Sequence, residues 1–172
     1  MLNIIFHFTV FLFIIFSNGL IFFKLFFFKK IELNLFETTI LGLVITSFIA
    51  QSINFFFPLN DYVIYLNLLI NCIVLLLYRE KFILNINKRL VFTILPILIL
   101  SLTQIYSSGF SDDLAHYHGG QIINSDHSKY IIGVNFMHHH YGYGSIWLLL
   151  HSYLNFNTSF IQDIHIINAI TF

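Results

Sequence analysis

Long apolar runs constrain this chain more than any other feature of its sequence. Four runs, separated by short polar segments, cover residues 2–23, 38–57, 62–78 and 90–106. A helix needs about 20 apolar residues to cross the hydrocarbon core of a bilayer. Charged residues make up 9% of the chain, whereas a soluble domain carries about 25%. The sequence therefore predicts an all-α fold, a polytopic bundle of transmembrane helices whose natural solvent is lipid.

Two further apolar segments follow a long polar loop at residues 107–144. We expect a helix over residues 145–156, capped by Ser145, which is short for a membrane crossing. Another helix begins near residue 159 and its apolar pattern continues to Phe172. We therefore expect residues 1–172 to form one membrane domain that is the amino-terminal part of a longer protein, with the remainder of the chain as a partner.

The basic residues indicate an orientation in the membrane. Of the eight Lys and Arg residues, all but Lys129 lie in the segments after the first and third runs. Loops rich in Lys and Arg stay in the cytoplasm. This rule places the amino terminus, the turn at Pro58 and the loop 107–144 on the outer side. The net charge is +0 at pH 7, which excludes the strongly basic surface typical of a nucleic-acid partner.

Small and polar residues inside the apolar runs predict where the helices meet. Close contact is favoured by two small-residue groups, which are Ser17, Asn18 and Gly19 in the first run and Gly42, Ser47, Ala50 and Ser52 in the second. Asn67 and Asn71 are one helical turn apart, and we expect them to form hydrogen bonds with another helix. A role in transport is the alternative for these two amides.

The loop 107–144 carries the residues best suited to chemistry. Ser111 is predicted to cap a short juxtamembrane helix that Gly119 and Gly120 weaken or end near His118, with residues 121–124 continuing along the membrane surface. Asp112 and His116 are four residues apart on this helix, and Asp113 faces His116 and Tyr117. A carboxylate beside an imidazole suits general base catalysis. Alternatively, the two aspartates only stabilise the helix start through its dipole.

The remaining loop histidines give a weaker indication of a metal. His138, His139 and His140 are adjacent, so their side chains do not converge on one ion, and the spacing differs from that of common zinc sites. Asp113 with His116 is a weak candidate for a divalent metal. The alternative is that the loop histidines form hydrogen bonds and contact lipid headgroups. The segment 141–144 is either an aromatic surface for sugar rings or a turn.

Several short motifs, taken together, resemble a known group of proteins. They are Leu41-Gly42-Leu43, Phe57-Pro58-Leu59-Asn60, the pair Asp112-Asp113 followed by Tyr117-His118, Gly133-x-Asn135-x-x-His138, and Gly142-Tyr143-Gly144-Ser145-x-Trp147. The arrangement resembles bacterial multi-pass membrane proteins linked to surface-polysaccharide synthesis. These are similar to GT-C class glycosyltransferases, which take sugars from polyprenyl-phosphate donors.

The resemblance implies a glycosyltransferase-like enzyme of the bacterial inner membrane that uses a lipid-linked sugar donor in surface polysaccharide or lipopolysaccharide synthesis. Asp112, Asp113 and His116 would be catalytic, with a divalent metal as a candidate cofactor. A second set would bind substrate and consists of Tyr117, His118, Asn135, His138 and Tyr141. The alternative is a non-enzymatic transporter or assembly component of polysaccharide export.

Overall fold

A computed structural model describes residues 2–26, 34–77, 99–100, 103, 119–130 and 145–155. These residues form five helices and contain no strand, as the all-α prediction requires. In chain order they are α1 (Leu2–Phe26), α2 (Leu35–Asn54), α3 (Asp61–Leu77), α4 (Gly119–His127) and α5 (Ile146–Tyr153). Of the predicted run 90–106, residues 99, 100 and 103 are described and helical. The predicted helix 159–172 lies outside the described residues.

Local side-chain chemistry sets the ends of α2. The Asn34 side chain accepts a hydrogen bond from the Glu37 backbone N at 2.8 Å, and Glu37 Oε2 accepts one from the Asn34 backbone N at 3.0 Å. This capping box satisfies two of the free N–H groups at the helix start, so α2 begins earlier than the predicted residue 38. The helix ends at Asn54, before Pro58, because a proline disfavours helical geometry in the residue ahead of it.

Glycines bring α1 and α2 into backbone contact. A Cβ atom placed on Gly19 would lie 2.7 Å from the Gly42 backbone N, and one on Gly42 would collide with the Ile15 carbonyl. No side chain fits at either position without moving a backbone. The small-residue contact predicted for these helices is therefore confirmed, and it rests on one glycine from each helix.

The buried face of α2 follows every fourth residue, the spacing of one ridge on a helix surface. Its members are Thr38, Gly42, Thr46, Ala50 and Asn54, with Ser47 beside them. The prediction was wrong for Ser52, which is exposed. Ser52 is two residues from both Ala50 and Asn54, and two residues turn a helix by about 200°, so it lies on the opposite face.

The outward face of α2 is more apolar than the inward one. Its exposed large side chains are Phe36, Ile40, Val44 and Phe48, whereas most of its buried residues carry a hydroxyl, an amide or no side chain. A helix of a soluble protein has the reverse distribution. Among the described residues, Ile5–Phe26 and Leu35–Asn54 are long and apolar enough to cross a membrane, and Asp61–Leu77 is apolar but shorter.

The short helix α5 packs against α2, α3 and α4. Its residues Leu149, Leu150 and Tyr153 join side chains of α1 such as Phe11 and Ile14 in one buried cluster. Ser145 is the N-cap residue as predicted, but its side chain makes no capping hydrogen bond. The helix ends at Tyr153, short of the predicted residue 156.

Gly119 and Gly120 are the first two residues of the loop helix α4. The residues before them lie outside the described part of the chain, so the weakening or end of a helix near His118 stays a prediction, and residues 121–124 are helical. Glycine in a helix costs about 0.5–1 kcal/mol relative to alanine. Packing offsets this cost, because α4 contacts α5 and its residue Ile122 is buried.

Candidate functional site

The residues with predicted roles in chemistry lie outside the described residues. They are Asp112, Asp113 and His116 as catalytic residues, and Tyr117, His118, Asn135, His138 and Tyr141 as substrate-binding residues. The metal assignment to Asp113 and His116 lies there too, so all of these stay predictions. What is described is the segment 119–130, which connects the two predicted groups along the chain.

This connecting segment is attached to the turn between α2 and α3. The Leu59 backbone N donates to the Ser125 carbonyl at 2.9 Å, and the Tyr130 backbone N donates to the Asn54 carbonyl at 2.7 Å. The rings of Phe55 and Tyr130 are 5.3 Å apart. Two backbone hydrogen bonds and one aromatic contact therefore hold the loop helix at this end of the bundle, which we call the turn-side end.

Asn54 completes the attachment with its side chain. It is the last residue of α2 and is buried, and its Nδ2 donates to the Ser125 carbonyl at 3.3 Å and to the Ser128 carbonyl at 3.4 Å. The last carbonyls of a helix have no partner within that helix. The Asn54 side chain supplies a hydrogen-bond donor for such a carbonyl near the end of α4. Sequence reasoning missed this residue, and its signal was an amide at the very end of an apolar run.

Four titratable side chains interact electrostatically at the turn-side end: Asp61, Asp126, His7 and His127. We call them the turn-side cluster. The Asp126 side chain is 12% exposed, and its Oδ2 lies 3.9 Å from His127 Nε2. Desolvation raises the pKa of Asp126, His127 opposes that shift, and the carboxylate of Asp61 adds to it. Burial also raises the pKa of Asp61, against the influence of His7.

The turn-side cluster does not form a metal centre. Within the described part of the chain, no three His, Cys, Asp or Glu side chains are grouped so that they could hold a metal ion. Its two carboxylates instead favour the protonated state more than free aspartates do. The cluster therefore offers proton-binding groups next to the loop helix, and neither Asp61 nor Asp126 was singled out from the sequence.

A chain of hydrogen-bonded side chains crosses three helices inside the bundle. Asn18 Nδ2 in α1 donates to Thr46 Oγ1 in α2 at 2.9 Å. Asn71 Nδ2 in α3 donates to Asn18 Oδ1 at 2.9 Å and to Asn67 Oδ1 at 3.0 Å. The predicted hydrogen bond to another helix is confirmed for Asn71. Asn67 accepts its bond from Asn71 within α3, and the described residues show no bond from Asn67 to another helix.

A cavity of about 370 Å³ lies beside this amide chain. Its described walls come from α1, α2, α3 and Tyr153 of α5, and they contain no charged residue. Asn18, Asn67, Asn71 and Tyr153 are its polar lining residues. Tyr153 is fully buried, and its hydroxyl has no hydrogen-bond partner among the described residues.

Comparison with known proteins gives a family but no activity. No curated protein and no solved structure matches the chain significantly. One family model, described as "Domain of unknown function (DUF8201)", matches residues 1–172. Since that match covers the whole chain, the protein belongs to the DUF8201 family.

Proposed function

We propose that this protein is a multi-pass membrane enzyme of glycosyltransferase type in the bacterial inner membrane. It takes a sugar from a polyprenyl-phosphate donor at the outer surface and passes it to a surface polysaccharide or lipopolysaccharide. Asp112 or Asp113 acts as the base toward the acceptor, with His116 beside it and a divalent metal as a possible aid. The observation that carries the proposal is the attachment of the loop helix to the turn-side end of an apolar bundle.

The surface of the bundle supports a position in the membrane. α2 turns its phenylalanines outward and buries Thr38, Thr46 and Asn54. In lipid, helices associate through small residues and interhelical hydrogen bonds, because lipid tails solvate apolar side chains as well as a protein core does. The glycine contact between α1 and α2 and the amide chain across α1, α2 and α3 are of this kind.

The attachment of α4 supports a shared site for the two predicted groups. Residues 112–118 directly precede Gly119, and residues 135–141 follow soon after Tyr130. The segment between them is mostly one short helix, and nine helical residues span about 14 Å. Both predicted groups adjoin the anchored segment 119–130 along the chain, and this supports the proposal that they contribute to one site.

The alternative is a non-enzymatic transporter or assembly component of polysaccharide export. The buried amide chain is the observation that favours it, because polar residues inside a membrane bundle often mark a transport route. The cavity beside that chain, however, is apolar over most of its lining, and the lining residues that the structure describes include no charged one. A route for a hydrophilic glycan requires a more polar lining, and we therefore favour the transferase.

The test replaces Asp112 and Asp113 by Asn, singly and together, in the full-length protein in cells that make the glycan. We expect at least one single variant and the double variant to lose surface glycan while reaching the membrane at normal levels. Glu80→Gln is the control, since it removes a carboxylate from the predicted cytoplasmic segment, away from the predicted catalytic set. Normal glycan in the Asp112→Asn variant, the Asp113→Asn variant and the double variant would exclude the catalytic assignment.

Sidedness is tested with single cysteines in a Cys72→Ser background, labelled from outside with a membrane-impermeant maleimide. A cysteine at exposed His127 should react in intact cells, and one at Arg79 should react only after permeabilisation. Labelling in the opposite order would overturn the orientation, and extraction of the protein without detergent would overturn membrane insertion.

A further inference from the structure

We propose that the cavity between α1, α2 and α3 binds a neutral single-chain lipid, whose uncharged hydroxyl or carbonyl group forms hydrogen bonds with lining side chains. None of the four side chains of the turn-side cluster is among the described residues that line this site. It does not depend on the transferase proposal, because every residue that carries it lies within the described helices.

The shape of the cavity suits a hydrocarbon chain. Its lining on α3 extends from Val63 to Val74, and on α1 from Asn18 to Leu25. Eleven residues of helix correspond to a length of about 16 Å. A volume of about 370 Å³ lies within the range of about 300–1,000 Å³ for small-molecule sites. The cavity is thus an elongated apolar site running along three helices, rather than a compact one.

The described part of the lining does not suit a charged ligand group. It contains no Lys, Arg, His, Asp or Glu, and an unpaired charge in apolar surroundings is costly. The polar lining side chains are neutral. Asn71 uses its amide nitrogen in bonds to Asn18 and Asn67, which leaves the Asn71 carbonyl oxygen to accept and the Asn67 amide nitrogen to donate.

Tyr153 gives the independent indication of a ligand. Its side chain lines the cavity and is 0% exposed, and its hydroxyl has no partner within the described segments. A buried hydroxyl without a hydrogen bond destabilises the fold. The hydroxyl has almost no accessible surface, so a rotation of the Tyr153 ring toward the cavity is part of the proposal, and a ligand carbonyl or hydroxyl then supplies the missing partner.

The experiment uses the purified full chain in nanodiscs and a diazirine analogue of monooleoylglycerol as the photoreactive probe. We expect the probe to label α1 and α3, and excess monooleoylglycerol to suppress the labelling. The matched competitor is oleoylglycerol phosphate, which has the same chain but a charged headgroup, and we expect it to compete at least tenfold less well. Equal competition by both lipids would overturn the proposal, as would no labelling of these helices.

Ile70→Trp and Tyr153→Phe test the lining residues, and Ile73→Trp is the control for the tryptophan substitution. Ile70 lines the cavity and is 50% exposed, so Ile70→Trp fills the site from its rim and should abolish labelling. Ile73 is one turn further along, 46% exposed and not a lining residue, so Ile73→Trp should label like the native protein. Equal labelling of both tryptophan variants would place the probe on the outer lipid-facing surface and overturn the site.

Tyr153→Phe removes only the hydroxyl. Since one hydrogen bond is worth up to about a factor of ten in affinity, we expect five- to tenfold weaker binding of monooleoylglycerol. The ligand-free variant should melt at the native temperature or above, because an unpaired hydroxyl is lost. Unchanged affinity, or a lower melting temperature without ligand, would contradict the role given to the phenol.

Discussion

Asn18 of α1 and Asn71 of α3 are joined inside the bundle by a hydrogen bond of 2.9 Å. Both residues are buried, and Asn18 also donates to Thr46 of α2. One amide therefore links three helices. In apolar surroundings each member of such a chain needs its partner, because an unpaired buried amide is costly. The pair fixes how α1, α2 and α3 are rotated about their axes relative to one another.

Breaking this pair should destabilise the bundle in a coupled way. We expect Asn18→Ala and Asn71→Ala each to lower the free energy of unfolding by about 1–3 kcal/mol, as expected when a buried partner is left unpaired. The double variant should show a coupling of about 0.6 kcal/mol and at most about 1.7 kcal/mol, the average and the maximum measured for side-chain hydrogen bonds in a membrane protein. The free energy of unfolding is measured in mixed micelles for the native protein, the two single variants and the double variant. Strict additivity would contradict a direct bond between the two amides.

The contact between Gly19 and Gly42 should not tolerate a side chain. Gly42→Ala places a methyl group against the Ile15 carbonyl, and overpacking of this kind costs about 1–3 kcal/mol. Ser52→Ala on the exposed face of α2 is the control, with an expected change within about 0.5 kcal/mol. Thermal unfolding in detergent compares the two variants. Equal melting temperatures would show that the helices do not touch at this glycine.

Asn54→Ala should loosen the loop helix without unfolding the bundle. The change removes both side-chain bonds to the carbonyls of Ser125 and Ser128 but keeps the backbone bond to Tyr130. We expect hydrogen exchange over residues 119–130 to accelerate about five- to thirtyfold, corresponding to about 1–2 kcal/mol. Exchange in α1 should stay unchanged. Gln51→Ala, one turn earlier on α2, is the control substitution, and it should leave hydrogen exchange over residues 119–130 unchanged.

The turn-side cluster should make stability fall as the pH rises through the acid range. Burial raises the pKa of Asp126 and Asp61 above the ordinary 3.8. The folded state then keeps protons that the unfolded state releases, so stability is highest below the ordinary pKa and declines until the raised pKa is passed. Asp126→Asn should weaken this decline. Thermal unfolding between pH 3 and pH 8 measures the effect in both proteins.

A second pH measurement separates the two carboxylates. Because the charge of Asp61 contributes to the raised pKa of Asp126, Asp61→Asn should lower the pKa of Asp126. Carboxyl chemical shifts of labelled aspartates would report this directly. A titration of Asp126 that is the same in both proteins would show that burial alone raises its pKa.

The sequence by itself determined the helical class and the positions of α1, α2 and α3, because length and hydropathy along one segment decide whether it forms an apolar helix. The start of α2 was also readable from its sequence, since Asn34 and Glu37 have the spacing of a capping box. That local signal was overlooked when the apolar run alone defined the helix.

Only the tertiary structure decided which groups meet. The amides of α3 were predicted to bond to a neighbour, but nothing local identifies Asn18 as the partner of Asn71. Likewise, Asn54 holds Ser125 and Ser128 across a long stretch of chain. The cavity and the unpaired phenol of Tyr153 arise from the packing of four helices. Such contacts depend on how helices are rotated and paired in space, and hydropathy along one segment carries no information about either.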